Sequence, residues 1–293
     1  MPEAARGQYQ ARMQRVLDHI DRHLDDDLSL DALSAVAAFS KHHFHRQFAA
    51  TFGLSTHRYV QLARMRRASH HLAFHTAASV TEIALNAGYQ APDAFARAFR
   101  QRFRQSPTDF RKTPDWKTWL TAFGPFIDAR SRHMANYTLN DVVIRDFPAT
   151  PVAVMTHLGD PQGIPDTIRQ FVTWRRSVGL GKTVSDTFTI FYCDPRRTSP
   201  TQFRLGLCAA TTGTIPPNDD PVTQDLIPGG RCAVLRVIGS SDDLEDPATF
   251  IYRNWLPGSG EELRDFPLFC QRVTFYPDVP ENETVTDLFL PLV

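Results

Sequence analysis

Apolar residues recur at helical spacing through residues 10–112, and the pattern is duplicated. Phe44, Phe48 and Phe52 stand at i, i+4 and i+8, and a shift of 51 residues lays them on Phe95, Phe99 and Phe103. The same shift lays Arg46 on Arg97, Ser55 on Ser106, Tyr59 on Phe110 and Ala37 on Gly88. Each copy reads as a short helix, a turn and a second helix, which is the helix-turn-helix pattern. Ser29 is placed to cap a first helix that buries Leu30, Leu33 and Val36, and Ser40 to cap SKHHFHRQFAATF. In the second copy, VTEIALNAG ends at Gly88, where a helix terminus takes a left-handed residue, and APDAFARAFRQRF follows. Both Phe triplets read as core, so information about partners lies on the opposite face. Between the copies, HRYVQLARMRRASHHLAF reads as a helix spanning about 26 Å at 1.5 Å per residue. That length sets the two second helices near one DNA turn, about 34 Å, apart.

Beyond residue 136 the pattern changes to short Val, Thr, Phe and Ile runs separated by most of the 21 prolines. This half also repeats. An offset of 80 lays PVAVMTHLGD (151–160) on RCAVLRVIGS (231–240), and an offset of 81 lays Trp174 on Trp255 and Phe188 on Phe269. Each copy reads strand, helix, strand, strand. The fold class expected is therefore multidomain: an all-α double helix-turn-helix domain over 1–113, then an α+β domain of two βαββ repeats over 137–293. The two repeats are expected to form two curved sheets with a cleft at their pseudo-twofold. Residues 114–136, with Pro114, Gly124 and Pro125, read as a linker.

Composition sharpens this picture. The chain has 293 residues, zero formal net charge and 42% apolar residues, which argues against wholesale disorder. No apolar run reaches the roughly 18 residues of a membrane span. The first residues show no apolar core followed by a small-residue cleavage site, and a cytoplasmic location without membrane partners is expected. Cys193, Cys208, Cys232 and Cys270 show no CxxC spacing; buried inert thiols are the usual reading, with a redox sensor as the alternative. The zero net charge hides an asymmetry. Residues 40–112 hold twelve Lys or Arg against three acids, a footprint of nucleic-acid binding or of an Arg-rich solvated surface. The histidines at 42–45, 70, 71 and 75 lack Cys or carboxylate partners at ligand spacing, so no metal and no cofactor is expected.

LSLDALSAVAAFSKHHFHRQF, the linking LARMRRASHHL and VTEIALNAGYQAPDAFARAFRQRFRQSPTDFRK resemble the AraC/XylS-family DNA-binding domain. The resemblance implies base-edge contacts from the start of each second helix. On this chain those positions are His42, His45 and Arg46, then Pro92, Asp93 and Arg97. Arg pairs bidentately with guanine, whereas Pro92 and Asp93 supply no base-reading amide, so the second copy reads DNA less specifically. Lys41, Arg58, Arg64, Arg100 and Arg102 are assigned to phosphates.

Residues 137–293 resemble the GyrI-like effector-binding domain through IPGGRCAVLRVIG, NWLPGSGEELRDFPLF and TDLFLPL. The resemblance implies an aromatic-lined cleft, here Trp174, Phe191, Tyr192, Trp255, Phe269 and Cys270. Family members commonly carry a Glu after the P-x-F element, which selects cationic ligands. This chain has Cys270 there, and Arg272 where a Tyr is usual. A neutral or anionic ligand becomes comparable to a cation, and hydrolysis using that acid is disfavoured. Glu261 and Glu262 are candidate substitutes for the missing acid. The function expected is a non-enzymatic, sequence-specific transcriptional regulator whose partners are double-stranded DNA and a small-molecule effector. RNA polymerase is a further candidate partner. The alternative is a small-molecule hydrolase or ligand-sequestering protein targeted by a DNA-binding module.

Overall fold

The computed structural model describes residues 3–75, 77–131, 137–194, 197–213, 215, 221–240 and 244–293. The chain divides into a helical unit, residues 1–135 with Pro280–Asn282, and a sheet unit, residues 136–279 with 283–293.

In the helical unit, α1 (Glu3–Arg22) buries Met13, Val16, Leu17 and Ile20 at helical spacing. The first helix-turn-helix is α2 (Leu30–Val36) and α3 (Lys41–Phe52); the second is α5 (Val80–Asn86) and α6 (Pro92–Phe103). The helix between them, α4, runs Thr56–Phe74 and is buried on most sides. A short α7 (Pro107–Lys112) follows α6. Ser29, Ser40, Ser55, Ser79 and Ser106 each accept a backbone N–H at a helix start, satisfying donors that no helical carbonyl reaches.

The repeat register differs in one detail from the 51-residue shift. The left-handed residue matching Gly88 (φ +81°) is Ala38 (φ +52°), not Ala37. The turns bond alike: Phe39 N–H donates to Ser34 O at 3.1 Å, and Tyr89 N–H to Ala84 O at 3.1 Å. The offset is thus 50 through the first helix and turn and 51 afterwards. The second copy inserts its extra residue between the turn and the second helix.

The stretch read as a linker holds a helix, α8 (Trp116–Ser131), with Pro125 inside it. Trp116, Trp119, Phe123 and Phe126 are buried. Their spacing is helical, but the Gly124-Pro125 pair hides it, because that pair ordinarily breaks a helix. The ring of Phe123 lies 5.6 Å from Phe103 and that of Phe126 4.8 Å from Tyr59. Tyr59 in turn meets Phe48 edge-on at 5.6 Å. One helix therefore ties both Phe stripes into a single core.

The sheet unit is ordered β1 (Val142–Phe147), β2 (Thr150–Leu158), α9 (Ile164–Ser177), β3 (Thr187–Phe191), β4 (Arg204–Ala210), β5 (Val222–Ile227), β6 (Gly230–Ile238), a second helical segment (Glu245–Ser259), β7 (Phe269–Arg272) and β8 (Val285–Pro291). The second segment comprises α10 (Glu245–Phe250), a single π turn (Ile251–Trp255) and α11 (Leu256–Ser259). The two βαββ cores are present, each preceded by a strand the sequence pattern did not announce. β1 and β5 share one burial pattern, four exposed positions between two buried ones, so neither alternates visibly.

The strands join one antiparallel sheet of order β1-β6-β8-β7-β3-β4-β2-β5 rather than two sheets. The order is palindromic under the repeat, and the outer strands are exchanged: β1 pairs with the second repeat's β6, and β5 with the first repeat's β2. The pseudo-twofold passes between β3 and β7, where Thr189 pairs with Cys270. In a flat sheet, β1 and β3 would stand about 19 Å apart at the usual strand spacing. Yet the ring of Phe147 lies 5.8 Å from Phe188, so the sheet curls tightly around one apolar face. Phe147, Val154, Phe188, Phe269 and Phe289 fill that concave core. On the other face, α9 packs on β2 and β4 through Phe171 and Trp174.

Candidate DNA-reading and effector sites

Lys41, His42, His45 and Arg46 on α3, and Pro92, Asp93, Arg97 and Arg100 on α6, are all exposed. Phe44, Phe48, Phe95 and Phe99 are fully buried on the opposite faces of these helices. The i, i+4 stripe fixes the roll of each helix about its axis, and that roll turns the polar set outward. Lys41 ion-pairs with Asp31 on α2. The two helix starts differ: Ser40 caps α3, whereas Ala91 gives α6 no side-chain cap and Pro92 occupies its first turn. An open hollow of about 500 Å³ beside His45 is lined by Asp26, Ser29, Ser55, His57 and Arg64 among others.

Much of the basic excess between residues 40 and 112 is structural. Arg64 Nε donates to Leu24 O at 2.8 Å and its Nη2 to Asp26 O at 3.0 Å. Arg67 bonds Asp25 and donates to Asn86 O at 2.7 Å, and Arg111 donates to Ala78 O at 2.7 Å. Arg66 is buried against Glu281. The phosphate role expected of Arg64 therefore gives way to tethering the loop before α2 to α4. The identity of a carbonyl partner so distant in sequence is invisible to residue counting. A fifth arginine, Arg130 on α8, forks onto Asp21 at 2.9 and 2.6 Å and donates to Tyr59 Oη at 3.0 Å. Burial works against its charge, but Glu281, Tyr59 and Asp21 outweigh that and hold it protonated.

The six residues expected in one cleft fall on both faces of the sheet. Phe269 is fully buried in the concave core, stacked on Phe289 at 4.9 Å, and Tyr192 packs against the same cluster. Trp174 and Phe191 belong to the helix-covered face. Cys270 adjoins Phe269 along β7, so strand alternation puts it on the helix-covered face too. Trp255 ends the π turn of the second helical segment. Phe269 and Tyr192 thus do not share a surface with Trp174, Phe191 and Cys270. The aromatic count could not resolve this, because the face of a strand residue depends on the register of its neighbours.

A GyrI-like small-molecule-binding domain matches residues 140–293 and a helix-turn-helix domain matches residues 33–113. The chain belongs to the GyrI-like family. Its sheet unit is similar to the probable transcriptional regulator YgiV of Escherichia coli K12, 37% identical over 160 residues, covering 54% of this chain and 99% of YgiV. The helical unit is similar to the right origin-binding protein of the same organism, 34% identical over 105 residues, covering 36% of this chain and 35% of that protein. Among solved structures, the DNA-binding domain of AdpA in complex with a target DNA is 26% identical, covers 34% of this chain and 89% of its own, and aligns with a TM-score of 0.32.

This GyrI-like protein is an AraC-type DNA-binding transcriptional regulator with a small-molecule-binding domain. In its sheet unit, burial pushes the Cys270 thiol upward, with Arg272 and the Thr189 hydrogen bonds opposing. Such a thiol stays protonated and is a poor nucleophile. Glu261, one of the two candidate acids, accepts from Arg231 Nη2 at 2.9 Å. Arg175 of α9 is the residue that sequence reasoning missed. It is 4% exposed and donates to Leu180 O, Ser185 O and the Thr187 hydroxyl at 2.6–2.8 Å. Burial lowers its pKa to about 10, with Asp186 opposing. No helix among the described residues is long and apolar enough to cross a membrane, and no cluster of three or more metal-ligating side chains is found among them.

Proposed function

We propose that the starts of α3 and α6 read DNA and that a small molecule held on the helix-covered face of the sheet unit controls the outcome. His42, His45 and Arg46 contact base edges from α3, with Arg97 doing so from α6. Lys41, Arg58, Arg100 and Arg102 hold phosphates. The observation that carries this reading is the exposure of Lys41, His42, His45, Arg46, Pro92, Asp93, Arg97 and Arg100 on helices whose Phe stripes are fully buried. The effector acts by favouring one state of the protein over another, since a ligand bound equally by both states switches nothing. Its output is altered DNA occupancy or polymerase recruitment. The test is fluorescence anisotropy with a labelled promoter duplex across a salt series, on wild type and Arg46→Ala. Wild-type affinity falls steeply with salt, because phosphate neutralisation releases counterions. Salt-insensitive binding refutes the interface. The regulator reading is favoured over the hydrolase reading, since burial keeps the Cys270 thiol protonated and Glu261 is engaged by Arg231.

A further inference from the structure

We infer that Arg64 and Arg67 of α4 lock the two helix-turn-helix units at a fixed separation, so that the chain accepts one spacing between the two DNA segments it reads. This rests on the proposal that α3 and α6 both read DNA, and adds what sets the distance between their sites.

Both side chains span from one unit to the other. Arg67 forks onto the Asp25 carboxylate, with Nη1 at 3.0 Å, and its Nη2 also donates to Asn86 O at 2.7 Å. Asp25 lies in the loop that enters α2, and Asn86 is the last residue of α5, so its carbonyl has no donor within the helix. Arg64, one turn earlier on the same face, donates to Leu24 O and Asp26 O in that loop. Its guanidinium also fills the space before Gly88, where a Cβ would stand 3.0 Å from Nη1. Leu24 is buried in the helical core, which anchors the loop end of the bridge. Two neighbouring guanidiniums thus connect residues 24–26, where the first unit begins, with residues 86–88, the turn of the second.

The duplication marks this as an added role. A shift of 52 lays the buried Met13, Val16, Leu17 and Ile20 of α1 on the buried Met65, Ala68, Ser69 and Leu72 of α4, and so lays Arg12 on Arg64 and Arg15 on Arg67. Arg12 Nη1 donates to Ala38 O at 3.4 Å, at the turn residue that matches Gly88. Arg12 therefore serves the turn of its own unit. Arg64 and Arg67 serve the equivalent turn and in addition reach back to the first unit. The Asp25 side chain is 67% exposed, and an ion pair so open to water adds little to stability. Its leverage is geometric. The buried Phe core is the pivot between the units, and a tilt about a pivot displaces the rim most. One base pair moves a DNA segment by about 3.4 Å and turns it by about 35°, so a modest tilt decides whether the second helix meets its segment.

The experiment uses the full chain and a library of randomised duplexes. Sequences selected by wild type give the separation of a stronger segment under α3 and a weaker one under α6. One base pair is then inserted between them, and affinities are read by fluorescence anisotropy. Wild type returns one dominant separation and loses at least tenfold in affinity on the insertion. Arg67→Gln and Asp25→Asn each return two or more separations and lose less than threefold on it. Their charge effects are opposite: Arg67→Gln binds all duplexes more weakly, random ones included, and Asp25→Asn binds them more tightly. A shared change in spacing therefore reports the bridge and not the charge. Melting curves check that both variants fold, and Asp25→Asn carries the test alone if Arg67→Gln does not. Retention of the single spacing by Asp25→Asn, or a wild type indifferent to the insertion, overturns the inference while leaving DNA reading intact. A library from which wild type enriches no sequence overturns base reading itself, and the inference with it.

Discussion

The two helix-turn-helix units share a frame and differ at the tip. Both carry a fully buried Phe stripe, a left-handed turn residue and the same hydrogen bond closing that turn. Against this common frame, α3 begins with a serine cap and presents Lys41, His42, His45 and Arg46. α6 begins uncapped with Pro92 and Asp93 and presents Arg97 and Arg100. Burial constrains the frame, while solvent leaves the tip free to diverge. The two units are mechanically equivalent and chemically unequal.

The largest effect should erase the mechanical equivalence. Phe48→Ala and Phe99→Ala each remove a fully buried ring and are expected to cost about 3–5 kcal/mol, read by urea denaturation. A loss below about 1 kcal/mol for either would show that its unit is not part of the common core. Next comes the chemical inequality. Arg46→Ala is expected to cost about 1–3 kcal/mol of affinity for the preferred site and to relax its specificity. Arg97→Ala should instead weaken specific and random duplexes more nearly alike, and Asp93→Asn should strengthen both several-fold. Equal losses of specificity from Arg46→Ala and Arg97→Ala would make the two tips equivalent readers.

The turns offer a smaller test. At Gly88, φ is +81° and an added Cβ would sit 3.0 Å from Arg64 Nη1. Gly88→Ala is expected to destabilise by about 1–2 kcal/mol, whereas Ala38→Gly relieves the left-handed strain at the matching site and is neutral or stabilising by up to about 1 kcal/mol. A substantial loss from Ala38→Gly would mean that the methyl group of Ala38 packs better than its backbone suffers. The smallest effect concerns α5. Its capping box holds Glu82 below the ordinary carboxylate range through the Ser79 backbone and side-chain hydrogen bonds. A depressed carboxylate contributes stability above its unfolded pKa and loses it as pH falls through the folded value. The Ser79 amide shift should therefore titrate in acid below the usual glutamate range. The start of α2, with Ala32 where α5 has Glu82, lacks the reciprocal box and instead has the Asp27 carboxylate, from before the helix, accepting from the Ser29 N–H at 2.9 Å. A Ser79 titration at the ordinary value would remove the box.

The Phe stripes, the serine caps and both duplications were legible because each is a local pattern with a fixed period. The failures share a cause. α8 was hidden by two residues, Gly124 and Pro125, within an otherwise periodic run. β1 and β5 were hidden because four exposed positions in succession leave no alternation to read. The destinations of Arg64 and Arg67 were illegible because their partners lie some forty residues away and are in part backbone carbonyls, which carry no sequence signature. The split of the expected cleft residues between two faces had the same origin. Periodicity gives the phase of one strand, while the shared surface depends on pairing between strands far apart in the chain.

The exchange of β1 and β5 makes the two halves of the C-terminal domain hostages to each other. A cut in the connection between β4 and β5 would leave a first fragment whose own strands form only β3-β4-β2, with β1 stranded away from its pairing edge, and a second fragment with β5 stranded in the same way. Neither piece can be a complete four-stranded half by itself, so the duplicated domain must assemble as a single cooperative object, and mixing the severed pieces should restore a structure that each lacks alone.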